Sequence, residues 1–167
     1  MIYSCQFDSP LGRLTGTAEQ GAITGLWFDG QKHYPTAAES WEPNPGHLAL
    51  TALGTWLEAY FDGQAPAVDL KLAFVGSDFR RRVWQALRSI PYGQTTTYGA
   101  IAKRLSTEMG GRVVAARAVG GAVGHNPISI VVPCHRVIGS TGQLTGYAGG
   151  LNRKIALLEI EGHEGLH

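Results

Sequence analysis

The sequence predicts an α/β (α+β) chain of two domains: a small sheet-plus-helix domain over residues 1–75 and a mainly helical domain with a helix-turn-helix over residues 76–167. Three observations lead there. Short β-branched or alternating runs occupy residues 2–28, helical periodicity takes over beyond residue 44, and the charge changes sign between the halves. Residues 1–75 hold three basic side chains (Arg13, Lys32, Lys71) against eight acidic ones, a balance of −5, whereas residues 76–167 hold eleven Lys and Arg against five acidic residues, a balance of +6. That asymmetry fits a basic half facing a polyanion, and equally a dipolar protein whose halves attract each other.

In chain order, Ile2 to Phe7, Leu11 to Thr17 and Ala22 to Phe28 read as strands, separated by the turn residues Asp8 to Gly12 and Glu19-Gln20-Gly21. A Pro- and Gly-punctuated loop runs from about Asp29 to Gly46. Asn44 then reads as an N-cap with Pro45 at the first helical position, followed by Ala49, Leu53, Trp56, Leu57, Tyr60 and Phe61 at helical spacing; Gly63 stops that helix. Val68 to Phe74 resembles a further strand. Ser77-Asp78 opens a second helix with Phe79, Val83, Trp84 and Leu87 on its apolar face and Arg80, Arg81, Arg82 and Arg88 outside. Thr97 caps a third, whose buried stripe is Tyr98, Ile101, Ala102 and Leu105. Past Gly110-Gly111, the Ala-rich stretch Val113 to Val123 forms a fourth helix bearing Arg117. Two short helices across a Gly turn suggest a helix-turn-helix, although this connection exceeds the usual three or four residues.

Hydrophobic residues make up 44% of the 167-residue chain and charged residues 16%, enough apolar material for a packed core. No apolar run approaches the roughly 20 residues of a membrane span, and the N-terminal stretch lacks the basic and apolar regions of a signal peptide. The expectation is a cytoplasmic, intracellular protein with no membrane partner. Cys5 and Cys134 are the two cysteines; they form neither a disulfide framework nor a metal-binding spacing, which agrees with a reducing compartment.

The chemistry concentrates in His125-Asn126-Pro127-Ile128-Ser129-Ile130-Val131-Val132-Pro133-Cys134-His135-Arg136-Val137. A continuous apolar run ends in Pro-Cys-His-Arg, so a thiol stands at the end of a buried segment. A cysteine attacks as its thiolate, and a nearby imidazole or cation helps to form it. Neighbouring residues of an extended strand point to opposite sides, so His135 needs a local bend or a bridging water to serve Cys134. The same residues also fit a buried, inert cysteine. Tyr98 reads equally as a core tyrosine, Arg117 as a phosphate-contacting or solvated arginine, Asn126 as a turn residue and Lys154 as a solvated helix lysine.

Pro133-Cys134-His135-Arg136-Val137, preceded by Gly124-His125-Asn126-Pro127, resembles the active-site signature of the O6-alkylguanine–DNA alkyltransferases. Phe79 to Trp84, Ile90-Pro91-Tyr92-Gly93, Thr97-Tyr98, Ala115 to Gly120, Leu144 to Gly150 and Lys154 to Gly162 resemble further blocks of that family, in the family's order. The resemblance spans residues 77–163 and, more faintly, Asp8 to Gly12.

The resemblance implies a winged-helix-like C-terminal domain carrying Cys134 as the nucleophile that takes an alkyl group from guanine O6. It implies that Glu161 orients His135, which draws the thiol proton through a water, in the Cys-His-carboxylate manner of certain hydrolases. A thioether offers water no carbonyl to attack, so the protein reacts once and stays alkylated. Tyr98 corresponds to the hydroxyl that helps neutralise the departing guanine, and Asn126 to the link between recognition helix and active-site segment. Arg117 corresponds to the side chain that enters the base stack when the damaged nucleotide is flipped out. Tyr147, Ala148 and Gly149 correspond to the loop that closes over that base; Ala148 stands where some members have Ser. Val137 is implied to offer a carbonyl to the base, Lys154 to hold the wall of the site, and Val123, where some relatives have bulkier residues, to pack on the base face. The implied partner is double-stranded DNA containing O6-alkylguanine, met by a monomer with no cofactor and no obligate protein partner.

Two departures stand out. Residues 106–114 exceed the corresponding turn in relatives. The zinc set of two cysteines and two histidines found in some members is missing, since Cys5 stands alone, Ala18 occupies the region of the second cysteine, and His33 and His47 do not restore it; no metal is expected, nor an added regulatory module. Two other readings compete: a non-catalytic protein that binds alkylated-DNA lesions, which lacks the nucleophile, and a Cys-His hydrolase, which needs an oxyanion hole.

Overall fold

Three antiparallel strands form first: β1 (Tyr3–Phe7), β2 (Leu14–Glu19) and β3 (Ala22–Phe28), in a sheet completed by the two-residue β4 (Glu42–Pro43), which pairs parallel to β1. The sheet order is β3-β2-β1-β4. β2 starts at Leu14, three residues later than its sequence suggests, because Ser9 to Gly12 close a turn in which Gly12 takes φ 119° and its N–H bonds Ser9 O at 3.1 Å.

The central strand β2 is buried from Leu14 to Ala18. Helix α1 (Leu48–Phe61) turns Leu50, Leu53, Trp56, Leu57 and Tyr60 inward. Gly16 lets α1 approach the sheet: a Cβ there would lie 2.9 Å from both Leu53 Cδ2 and Phe7 Cε2. The N-cap of α1 is His47, whose Nδ1 accepts the Ala49 N–H at 3.2 Å, and not Asn44. Asn44-Pro45 instead makes a tight turn in which the His47 N–H bonds Asn44 O.

Residues 68–74 do not form the expected strand. Only Leu72 bridges Ile23, flanked by hydrogen bonds from Ile23 N to Lys71 O and from Ala73 N to Ile23 O. The outer edge of β3 is shared: further along it Leu26 bridges Ile128 through Pro127 O and Ser129 N. Neither segment gets enough of the edge to extend into a ladder.

The computed structural model describes residues 1–166, and these group into two units: residues 1–75 with 127–129, and residues 76–126 with 130–166. In the second unit, α2 (Asp78–Arg88) is capped by the Ser77 hydroxyl and buries Val83, Trp84, Ala86 and Leu87; the Trp84 indole N–H donates to Ala122 O at 2.9 Å. After β5 (Thr96–Thr97), helix α3 (Tyr98–Glu108) is capped by Thr97, whose hydroxyl accepts the Ala100 N–H at 3.0 Å. Its buried stripe is Ile101, Ala102 and Leu105, with Tyr98 only half-buried.

Helix α4 (Ala116–Gly124) begins three residues later than expected. Gly110 and Gly111 both take positive φ, Val113 is 92% exposed, and Ala115 supplies no side-chain cap. Nothing in 112–115 packs or caps well enough to carry the helix back further. The short β6 (Val137–Ile138) pairs parallel to β5, and α5 (Leu151–Ile160) closes the unit. Among the described residues no helix is long and apolar enough to cross a membrane.

Thr97→Ala removes the acceptor for the Ala100 N–H and should cost about 1 kcal/mol of stability in urea unfolding, with Thr97→Ser recovering most of it. Equal stability of Thr97→Ala and wild type would contradict the cap.

Candidate active site

The apolar run 128–133 leads into a one-turn 3-10 segment, Cys134–Arg136, in which the Arg136 N–H bonds Pro133 O at 3.0 Å. This is the local bend that extended geometry lacked, and it buries three successive reactive side chains. Cys134 is 5%, His135 0% and Arg136 8% exposed.

His135 Nε2 lies 2.6 Å from Glu161 Oε2. Glu161 also accepts from Arg136 Nε at 2.7 Å, Arg136 Nη2 at 3.1 Å and the Gly93 N–H at 3.1 Å. A carboxylate held by a two-point guanidinium is ionised, so Nε2 is the donor and Nδ1 the basic nitrogen. Arg136 Nη1 donates to Ile90 O at 2.6 Å, and its guanidinium sits 5.7 Å from the Tyr92 ring centre. Burial holds the imidazole below the ordinary histidine range, outweighing the upward pull of Glu161. His135 is therefore neutral at rest.

Around the thiol, burial pushes the Cys134 pKa up, opposed by the Asn126 amide, the charge of Lys154 and, least, the neighbouring Tyr147 hydroxyl. Asn126 is buried and also donates from Nδ2 to Val132 O at 2.8 Å, so one amide braces the run and touches the nucleophile. Lys154 on α5 has no exposed surface. Its Nζ donates to Val137 O at 2.6 Å and Thr145 O at 3.0 Å, and burial lowers its pKa to about 8. Thr145 in turn donates from its hydroxyl to the Tyr98 oxygen at 3.0 Å, leaving the phenol hydrogen available for another acceptor.

Residues 78–163 match the family described as 6-O-methylguanine DNA methyltransferase, DNA binding domain, and residues 1–74 match its ribonuclease-like domain. The chain belongs to the 6-O-methylguanine DNA methyltransferase family. A relative named methylated-DNA–protein-cysteine methyltransferase, from Mycobacterium tuberculosis, is 48% identical over 161 residues, covering 96% of this chain and 93% of its own. The crystal structure of M. tuberculosis O6-methylguanine methyltransferase superposes with a TM-score of 0.85 at 47% identity, covering 96% of this chain and 93% of that one. A structure of the M. tuberculosis protein in complex with DNA gives a TM-score of 0.83 at 46% identity, covering 95% and 92%.

Of the residues singled out in the methyltransferase sequence, Cys134, His135, Glu161, Asn126, Tyr147, Lys154 and Val137 form one connected cluster, which Tyr98 joins through Thr145. Arg117 stands apart, exposed on α4, and Val123 is buried on the same helix. Gly149 is buried and its carbonyl accepts from Arg153, while Ala148 is half-buried. Sequence reasoning missed Arg136, Gly93, Ile90 and Thr145. A signal for Arg136 was present: an arginine closing a buried apolar run needs an acidic partner. Among the described residues no cluster of three His, Cys, Asp or Glu side chains is placed to hold a metal ion.

Glu161→Gln leaves the buried Arg136 guanidinium without a counter-charge and should destabilise the fold by about 3–5 kcal/mol in urea unfolding. A loss below about 1 kcal/mol, the range of an exposed pair, would show that the pair is solvated.

Proposed function

We propose that this protein repairs O6-alkylguanine in duplex DNA by one irreversible transfer of the alkyl group to Cys134. The observation that carries the reading is a buried thiol next in the chain to a buried imidazole whose Nε2 is locked on Glu161 at 2.6 Å. The DNA-bound structure of the M. tuberculosis relative supports DNA as the partner.

The reaction balances as a displacement at saturated carbon. His135 Nδ1 takes the thiol proton through a bridging water, the sulfur attacks the alkyl carbon, and a C–S bond forms as the C–O6 bond breaks. The bond's electron pair leaves with the guanine, which takes up one proton as the His135 imidazolium gives one back, so the products are a neutral base, a neutral His135 and an S-alkylcysteine. The Tyr98 hydroxyl donates its hydrogen to the developing negative charge on the base. Lys154 lowers the cost of the thiolate as it forms.

Access needs a flipped nucleotide, because Cys134 is buried. Arg117, exposed on the small-residue surface of α4, takes the vacated place in the stack. The Val137 carbonyl and the backbone N–H groups of Ala148 and Gly149 read the base edge, with Tyr147 beside it and Val123 on its face. A single copy supplies every one of these groups, so the protein acts as a monomer, without a cofactor.

Mixing equimolar protein with a duplex holding one O6-methylguanine should add one methyl mass to the protein, on Cys134, and restore the DNA with no second turnover. Cys134→Ser should transfer nothing and still bind. Tight binding by the wild type with no mass change would place the chain among lesion-binding proteins instead.

The pH profile is a separate check. Because burial holds His135 below its ordinary value of about 6.5, the single-turnover rate should stay level down to about pH 6.5 and fall only below it. A rate already declining between pH 8 and 7 would mean that another group supplies the base.

A further inference from the structure

Arg136 is not the nucleophile or its base, yet its guanidinium brings Glu161 a full positive charge through two N–H donors. We infer that Arg136 is a positioning residue that keeps His135 Nδ1 deprotonated, and so keeps the base competent, by holding Glu161 ionised. This rests on the reading of Cys134 as acceptor and His135 as its base.

Glu161 is an unfavourable place for a negative charge. It is the C-cap of α5, where the helix dipole is negative, and its side chain has no exposed surface. Two guanidinium N–H groups, the Gly93 N–H and the His135 Nε2–H meet that carboxylate, and of these only the guanidinium brings a full charge at neutral pH. The other charged or titratable groups facing the imidazole are committed elsewhere. Lys154, from α5, bonds Val137 O and Thr145 O and, like Arg136, disfavours an imidazolium. Tyr92, from the loop after α2, bonds Ile160 O from its hydroxyl. Cys134 is the neighbouring thiol.

Without the guanidinium, the His135–Glu161 pair takes up a proton at neutral pH as a coupled unit. Two sites lie on the Nε2–Oε2 contact itself. On Oε2 the proton donates to Nε2, and the neutral ring then carries its own hydrogen on Nδ1. On the imidazole it makes an imidazolium, with hydrogens on both nitrogens. Both outcomes put a hydrogen on Nδ1, the atom that must accept from the thiol. Arg136 thus sets which nitrogen is basic, acting through Glu161.

The test compares wild type, Arg136→Gln and Arg136→Lys by ¹⁵N NMR of the His135 ring and by the pH profile of single-turnover methyl transfer. Wild type should show the hydrogen on Nε2 at pH 7. Arg136→Gln, which keeps a donor but no charge, should show Nδ1 protonated at pH 7 and an acid limb displaced upward by at least about one pH unit, a tenfold rate loss on that limb. Arg136→Lys should keep the wild-type limb with a lower plateau, since lysine supplies charge without the two-point grip. A deprotonated Nδ1 with an unmoved limb in Arg136→Gln would reduce Arg136 to a structural brace. If that variant does not fold, wild type still decides, because an Nδ1–H tautomer there at pH 7 overturns the inference. A wild type that transfers no methyl group would fail the Cys134 reading alone, and the NMR comparison would still report on Arg136.

Discussion

The active centre depends on one buried carboxylate. Glu161 collects four N–H donors from two parts of the second unit: His135 and Arg136 of the 3-10 turn that carries Cys134, and Gly93 of the loop after α2. An ionised carboxylate buried at a helix C-terminus is costly by desolvation and by the helix dipole. The guanidinium offsets that cost with geometry that a lysine lacks, since its third nitrogen also reaches Ile90 O. The ion pair is weak as a source of stability but strong as a constraint, because it leaves the imidazole one orientation.

That constraint makes a fully buried thiol workable. Burial disfavours the thiolate, and the resting centre keeps both the thiol and the imidazole neutral. In the proposed reaction the product is a thioether, which offers water no carbonyl to attack, so the sulfur needs no solvent access for regeneration.

Much of this was legible in the sequence, and the boundary of legibility is physical. Ser77 and Thr97 cap their helices as read, because an N-cap is satisfied within three residues of chain. Asn44 misled because Asn-Pro makes a turn as readily as a cap, while His47 caps α1 through an imidazole nitrogen, a use its residue type does not advertise. The alternating run 68–74 has the pattern of a strand, but whether it pairs depends on the edge of β3, which residues 127–129 also occupy. Cys134, His135 and Glu161 were identified through motif order. Arg136 stands in the same motif, and its role appeared only once folding brought Glu161, 25 positions away, within hydrogen-bond reach. Long-range pairing of charges leaves no local period to read.

In the proposed transfer, the arrangement of charge along the centre favours one direction for the proton. Lys154 acts on the sulfur and Glu161 on the imidazole, at opposite ends of the Cys134–His135 dipeptide. Passing a proton from thiol to imidazole creates a negative charge near the ammonium and a positive charge near the carboxylate, so the fixed field favours the separation at both ends. The net charge of the site does not change, and no solvent has to reorganise around a new one. Arg136 opposes this transfer slightly through its charge, and in return it keeps the carboxylate from taking the proton first. Burial holds the Cys134 thiol above and the His135 imidazole below their ordinary values, so the pair rests neutral, and the fixed charges of Lys154 and Glu161 offset part of the cost of reaching the thiolate.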